Sequence, residues 1–183
     1  QCKRIWVDET YSNYLPDAVS LEPLCGTLPE LMVCKSMSKC YALSGLRVAY
    51  AVSQNMATLR RFIPPWAVSL PGQLAAVAAL RNDAYYAQQY EVIHSERRKM
   101  QQALDDLGFQ VFSGVANYLL TYLPAASGYS STRVIEACRE QGLFVRDAQN
   151  MGVLLPNNAV RFAVRSPEEN EKMLSIVDAV LAL

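Results

Sequence analysis

The residues with the most chemistry in this chain lie in the run CKSMSKCYALSGLRVAY, from Cys34 to Tyr50. Ser36, Ser38 and Lys39 crowd a predicted turn, and Arg47 follows the lysine by eight residues. Upstream, the apolar run Ile5-Trp6-Val7 ends in Asp8, with Tyr11 three positions further on. A lysine amine can hold an aldehyde as a Schiff base and, once freed, move protons as a general acid or base. Serine hydroxyls and a guanidinium, whose planar fork matches phosphate oxygens, add the means to hold a phosphate. The set fits a phosphorylated aldehyde. Each piece alone has an ordinary reading: a lysine in a serine-rich turn is commonly solvated, and an aspartate after an apolar run commonly ends a strand or caps a helix. The order and spacing of all of them together carry the argument.

That order resembles the pyridoxal-phosphate site of the fold-type I aminotransferases. The family pattern is an aspartate with a tyrosine three residues on, then Ser-x-x-Lys, then an arginine eight after the lysine; Asp8/Tyr11, Ser36/Lys39 and Arg47 meet it. The resemblance implies that Lys39 and Asp8 are catalytic, Lys39 as the Schiff-base lysine and Asp8 as the partner of the pyridine nitrogen, so that the ring serves as electron sink. It further implies that Tyr11 binds the ring's 3-hydroxyl and that Ser36, Ser38 and Arg47 hold the phosphate. A second segment, Val160-Arg161-Phe162 followed by Glu168-Glu169-Asn170, resembles the C-terminal motif of the histidinol-phosphate aminotransferase-like members. It assigns Arg161 to the substrate's α-carboxylate. Arg165 and Ala49 depart from that pattern, where glycine is usual.

The implied reaction is transamination of an amino acid or a phosphorylated amine. Threonine-phosphate decarboxylases share these motifs and give an alternative reaction on the same cofactor. A third reading is a noncatalytic fragment or interaction module: the resemblance covers only the C-terminal half of the family's fold. Such a piece is expected to be poorly active alone and to pair with a missing half, self-associate or swap. Family members usually form homodimers, which the resemblance extends to this chain as an expectation.

The elements that must position these residues follow from pattern. Residues 2–9 and 31–34 read as buried strands, the second delivering the lysine turn at its C-terminal end, where open α/β sheets place ligands. A third strand is expected over 46–52, helices over 54–62 and 71–81, and a long helix over 84–107 closed by Gly108. Beyond it, strands over 109–112, 118–123, 143–146 and 159–165 alternate with helices over 131–141 and after Ser166-Pro167-Glu168-Glu169, a capping box with proline in the first turn. The expected fold is α/β. The resemblance implies that residues 1–84 form the C-terminal part of the family's large domain, with a mostly parallel sheet, and residues 85–183 a small α+β domain.

Bulk properties agree with a globular protein of 183 residues, 51% of them apolar. With 17 basic and 17 acidic residues there is no field to attract nucleic acid or an anionic membrane. No apolar run is long enough to span a bilayer, and no secretory pattern opens the chain. The five cysteines, Cys2, Cys25, Cys34, Cys40 and Cys138, lack metal-ligand spacing and read as free thiols of a cytoplasmic protein. His94, the single histidine, and the tyrosines at 85, 86 and 90 read as packing residues; Trp66 is placed either at a substrate pocket or in a groove.

Overall fold

A computed structural model describes residues 3–124 and 128–182. The chain divides into two compact units, Gln1–Gln89 and Tyr90–Leu183, within one long helix. Cys2, assigned to the first strand, lies outside the described residues.

In the first unit, strands β1 (Ile5–Asp8), β2 (Leu31–Ser36) and β3 (Ala49–Val52) form a sheet in the order β1-β2-β3. β1 and β2 are parallel, with Ile5 opposite Leu31 and Asp8 opposite Cys34. β3 returns antiparallel to β2, so the sheet is mixed. The reason is the connection: residues 37–48 make a local turn rather than the helical crossover that a parallel return requires. Segment 12–30 contains two 3-10 turns, Ser12–Tyr14 and Glu22–Gly26. Cys25 of the second packs with Leu31, Val33, Val7 and Val52 under one face of the sheet.

Helix α1 (Met56–Arg60) is shorter than the span expected from pattern. Pro64 and Pro65 disfavour helical geometry in the residues before them, and 61–63 finish in turns. α2 (Leu70–Leu80) starts one residue earlier than expected. The Ser69 hydroxyl accepts from the Gly72 N–H at 3.2 Å, and Pro71 sits in the first turn. α3 (Asp83–Asp106) then carries the chain into the second unit. Trp66 is 95% exposed and adopts φ +56°.

The second unit has an antiparallel sheet in the order β4-β5-β7-β6, from β4 (Gln110–Val111), β5 (Tyr118–Tyr122), β6 (Arg146–Asp147) and β7 (Ala159–Ala163). α4 (Ser131–Glu140) and α5 (Pro167–Leu181) pack with the C-terminal part of α3 around Met100, Leu104, Leu119, Val134, Phe162 and Val177, all buried. Gly108, at φ +84°, turns the chain out of α3 in the conformation that glycine adopts without steric cost. The capping box forms: the Ser166 hydroxyl accepts from the Glu169 N–H, and the Glu169 carboxylate accepts from the Ser166 N–H. The strand expected over 143–146 is reduced to Arg146–Asp147. Leu143, Phe144 and Val145 instead border a cavity of about 470 Å³ against α5, with Phe144 78% exposed. No described helix is long and apolar enough to cross a membrane.

Candidate active site

β1 and β2 end side by side, and the sequence alternation sorts their side chains onto two faces. Glu9 and Lys35, next to the strand ends, turn inward. Asp8 and Ser36 lie on the opposite face, at the C-terminal edge of the parallel pair.

Asp8 is exposed, and its Oδ1 accepts from the Thr10 N–H at 2.9 Å. Hydrogen bonds from the Thr10 hydroxyl and then from its N–H hold the Asp8 carboxyl below the usual carboxylate range, so it is ionised at neutral pH. The same Thr10 hydroxyl oxygen accepts from the Ser36 N–H at 3.1 Å. Thr10 therefore ties the strand end bearing the acid to the strand end bearing the serines, a role that sequence reading missed.

Ser36 and Ser38 place their hydroxyl oxygens 3.0 Å apart, and the Ser38 N–H donates to the Ser36 Oγ at 3.3 Å. The Met37 N–H donates to the Val48 carbonyl at 3.0 Å, which lays Arg47 alongside the serine turn. Arg47 is exposed in the left-handed region, φ +55° and ψ +44°, with one guanidinium N–H donating to the Ser44 carbonyl at 3.1 Å. No carboxylate pairs with it among the described residues. Lys39 is exposed, and its amine likewise has no carboxylate partner there. Tyr11 is half-buried, its ring 6.3 Å from that of Tyr14.

Four residues earlier the other lysine of the segment behaves oppositely. Lys35 is 7% exposed, and its Nζ meets Glu9 at 3.1 Å and Glu22 at 2.8 Å. The parallel register makes this so, because β1 and β2 run in step and bring Glu9 beside Lys35 just past the Asp8–Cys34 pair. Glu9 also accepts from the Ser20 hydroxyl at 2.7 Å and the Leu21 N–H at 2.8 Å, and Tyr50 donates to Glu22 at 2.8 Å. Burial pushes the Glu9 carboxyl up, but the Leu21 N–H, the Ser20 hydroxyl and Lys35 outweigh it and leave the pKa lowered; burial pushes Lys35 down, but Glu22 and Glu9 outweigh it and leave the pKa raised. Lys35 is thus a locked structural cation, and Lys39 is the available amine.

The cysteines near the turn are free. Burial pushes the Cys40 thiol up to about 11, and its Sγ lies 3.1 Å from the Thr10 carbonyl as a donor. Burial, then the Asp8 charge, raises the Cys34 pKa. Both stay protonated at neutral pH, in line with a filling role.

In the second unit, Arg161 sits mid-strand on β7, half-buried, its guanidinium 5.0 Å from the centre of the Tyr118 ring. Its register partner on β6 is Arg146. Directly opposed residues of an antiparallel pair share a face, and like charges there repel. Neither arginine pairs with a carboxylate among the described residues. Sequence reading passed over Arg146. The end of β7 is clamped by buried Asn170, which accepts from the Arg165 N–H at 2.9 Å, donates to the Arg165 carbonyl at 3.0 Å, and donates to buried Glu96 at 3.1 Å.

The family profile for aminotransferases of class I and II matches residues 2–177. The chain belongs to the class I and II aminotransferases. It is 30% identical over 179 residues to histidinol-phosphate aminotransferase 1 of Cupriavidus pinatubonensis, covering 96% of this chain and 46% of that one. It is also 30% identical over 179 residues to threonine-phosphate decarboxylase of Salmonella typhimurium, covering 96% and 48%. The histidinol-phosphate aminotransferase of Sinorhizobium meliloti, solved in complex with pyridoxal-5'-phosphate, superposes with TM-score 0.83 at 22% identity, over 98% of this chain and 49% of that one. The chain spans about half the length of the curated relatives it matches. The α/β fold and the pyridoxal-phosphate cofactor are those of this aminotransferase family. The residue types fit that group: Asp8 is an ionised carboxylate at the end of β1, and the turn that follows β2 carries the Ser36–Ser38 hydroxyl pair, the Lys39 amine and the Arg47 guanidinium, the last two without a carboxylate partner among the described residues.

Proposed function

We propose that this chain carries the cofactor lysine and the substrate-binding arginines of a pyridoxal-phosphate-dependent aminotransferase of the histidinol-phosphate type. The observation that supports it most is the contrast of lysines: Lys35 is consumed by two carboxylates, whereas exposed Lys39 has no carboxylate partner among the described residues. Bound pyridoxal phosphate supplies an electron sink for charge that develops at the substrate's α-carbon. Lys39 would hold the aldehyde carbon covalently, and its freed Nζ would take the proton from the substrate's α-carbon. Asp8 would pair with the pyridine nitrogen, Tyr11 with the 3-hydroxyl, and Ser36, Ser38 and Arg47 would hold the phosphate.

Arg161 binds the anionic group of the substrate. Arg146, opposed to it and equally without a carboxylate, favours a substrate anion that two guanidiniums share. A carboxylate or a phosphate satisfies that demand, consistent with an amino acid or a phosphorylated amine. The whole enzyme functions as a cytoplasmic homodimer in this reading, and these residues alone retain little turnover.

Decarboxylation is the second reading, supported by the equal identity to the Salmonella typhimurium relative. It breaks another bond at the same carbon. The discriminating experiment supplies the whole enzyme with histidinol phosphate or threonine O-3-phosphate, with and without a 2-oxo acid. Amine transfer that depends on the 2-oxo acid supports transamination. Carbon dioxide release independent of it transfers the assignment to the decarboxylase.

A further inference from the structure

We propose that Tyr14 is a positioning residue for Lys39, its phenol holding the lysine turn from below while its ring supports Tyr11. The inference rests on the reading of Lys39 as the covalent anchor. Tyr14 is 1% exposed, among the largest fully buried side chains. Its hydroxyl lies 3.1 Å from the Lys39 carbonyl oxygen. A carbonyl can only accept, so the phenol donates. Burial raises the Tyr14 pKa above the ordinary phenol value, so the donor hydrogen stays in place at all working pH values.

The turn needs an outside tie. Its own closure includes the Ala42 N–H donating to the same Lys39 carbonyl at 3.2 Å and the Leu43 N–H donating to Met37 at 3.0 Å. Ala42 takes φ +55°, a conformation unfavourable for a residue with a Cβ. Tyr14 comes from the 3-10 turn that follows β1, where its N–H donates to the Tyr11 carbonyl at 3.2 Å and its ring lies against that of Tyr11. One buried side chain thus touches the backbone of the proposed anchor and the ring of the proposed 3-hydroxyl ligand.

The test compares the unsubstituted chain with Tyr14→Phe, which keeps the ring and removes only the oxygen. A version carrying 3-fluorotyrosine at 14 keeps the donor. Two readouts are taken at equal folding by circular dichroism. The first is amide hydrogen exchange at Ala42. The second is the share of pyridoxal phosphate trapped by borohydride on Lys39 relative to Lys3, Lys99 and Lys172.

In Tyr14→Phe, Ala42 exchange is expected to rise about fivefold, the size of one net hydrogen bond, and the Lys39 share to fall. The fluorotyrosine chain is expected to restore both. A packing role alone would move neither, since phenylalanine fills the same space. Unchanged exchange at Ala42 overturns the proposal, and so does faster exchange with an unchanged Lys39 share. If even the unsubstituted chain is not trapped on Lys39, the anchor reading falls; the exchange arm then still decides whether Tyr14 holds the turn.

Discussion

Replacing Lys35 by methionine removes the cation at the centre of the Glu9–Lys35–Glu22 cluster while keeping an unbranched apolar stem. Breaking a buried pair by deleting one partner costs roughly 3–5 kcal/mol, because the remaining charge is left uncompensated. Here the remaining Glu9 is 7% exposed but retains the Ser20 hydroxyl and the Leu21 N–H, and Glu22 is 28% exposed at its side chain and retains Tyr50. That residual satisfaction places the expected loss at the lower end, about 3 kcal/mol, or roughly a hundredfold in the folding equilibrium of the first unit. Both tryptophans, Trp6 and Trp66, lie in that unit. Urea unfolding followed by tryptophan fluorescence therefore reads it without contribution from the second.

The pH dependence carries a sign that can be checked. Glu9 is depressed in the folded state, so its contribution is present above its ordinary value of 4.5 and is lost as pH falls through the folded pKa. Lys35 is raised, so its contribution is complete below its ordinary 10.5 and is lost only as pH rises through the folded pKa. The difference between the parent chain and Lys35→Met should therefore be flat across neutral pH and shrink at both ends. A loss under about 1 kcal/mol, the scale of an exposed ion pair, or a difference that grows on acidification, would refute the buried-cluster reasoning.

Two further outcomes follow from local geometry. Gly72→Ala adds a Cβ that would meet Val48 Cγ2 at 3.0 Å and the capping Ser69 Oγ at 3.1 Å. Overpacking of about 1–3 kcal/mol should exceed the helix-propensity gain of about 1 kcal/mol, giving a lower thermal midpoint in a melting curve. Arg47→Gly relieves a left-handed backbone at φ +55°, so stability should hold or rise by up to about 1 kcal/mol. Its pyridoxal-phosphate affinity, read by absorbance titration, should fall roughly tenfold to a hundredfold for the loss of a charged hydrogen bond.

What was legible in the sequence was what is local or periodic. Asp8 and the start of the Ser36–Lys39 turn stand at neighbouring strand ends because β1 and β2 run in parallel step. The Ser166–Glu169 capping box formed because all its donors and acceptors lie within one helical turn. The Glu9–Lys35–Glu22 cluster was missed because its members are brought together by register, although setting IWVDE in parallel step against LMVCK already aligns Glu9 with Lys35. Thr10 and Tyr14 were missed for a related reason: each acts through a backbone group of a distant turn, which leaves no mark on residue type. The strand over 143–146 was overextended because apolar, β-favouring residues fit any half-buried surface; Leu143 and Val145 found theirs against a cavity beside α5 rather than in a ladder.

The account stands on Lys39 as the amine that takes the cofactor. The direct measurement is titration of the purified chain with pyridoxal phosphate, borohydride reduction and peptide mapping, beside Lys39→Ala. The account predicts a visible absorption band in the parent chain and label on the peptide containing Lys39, with both lost in the variant. Equal labelling in Lys39→Ala, or label transferred to Lys35, would contradict it.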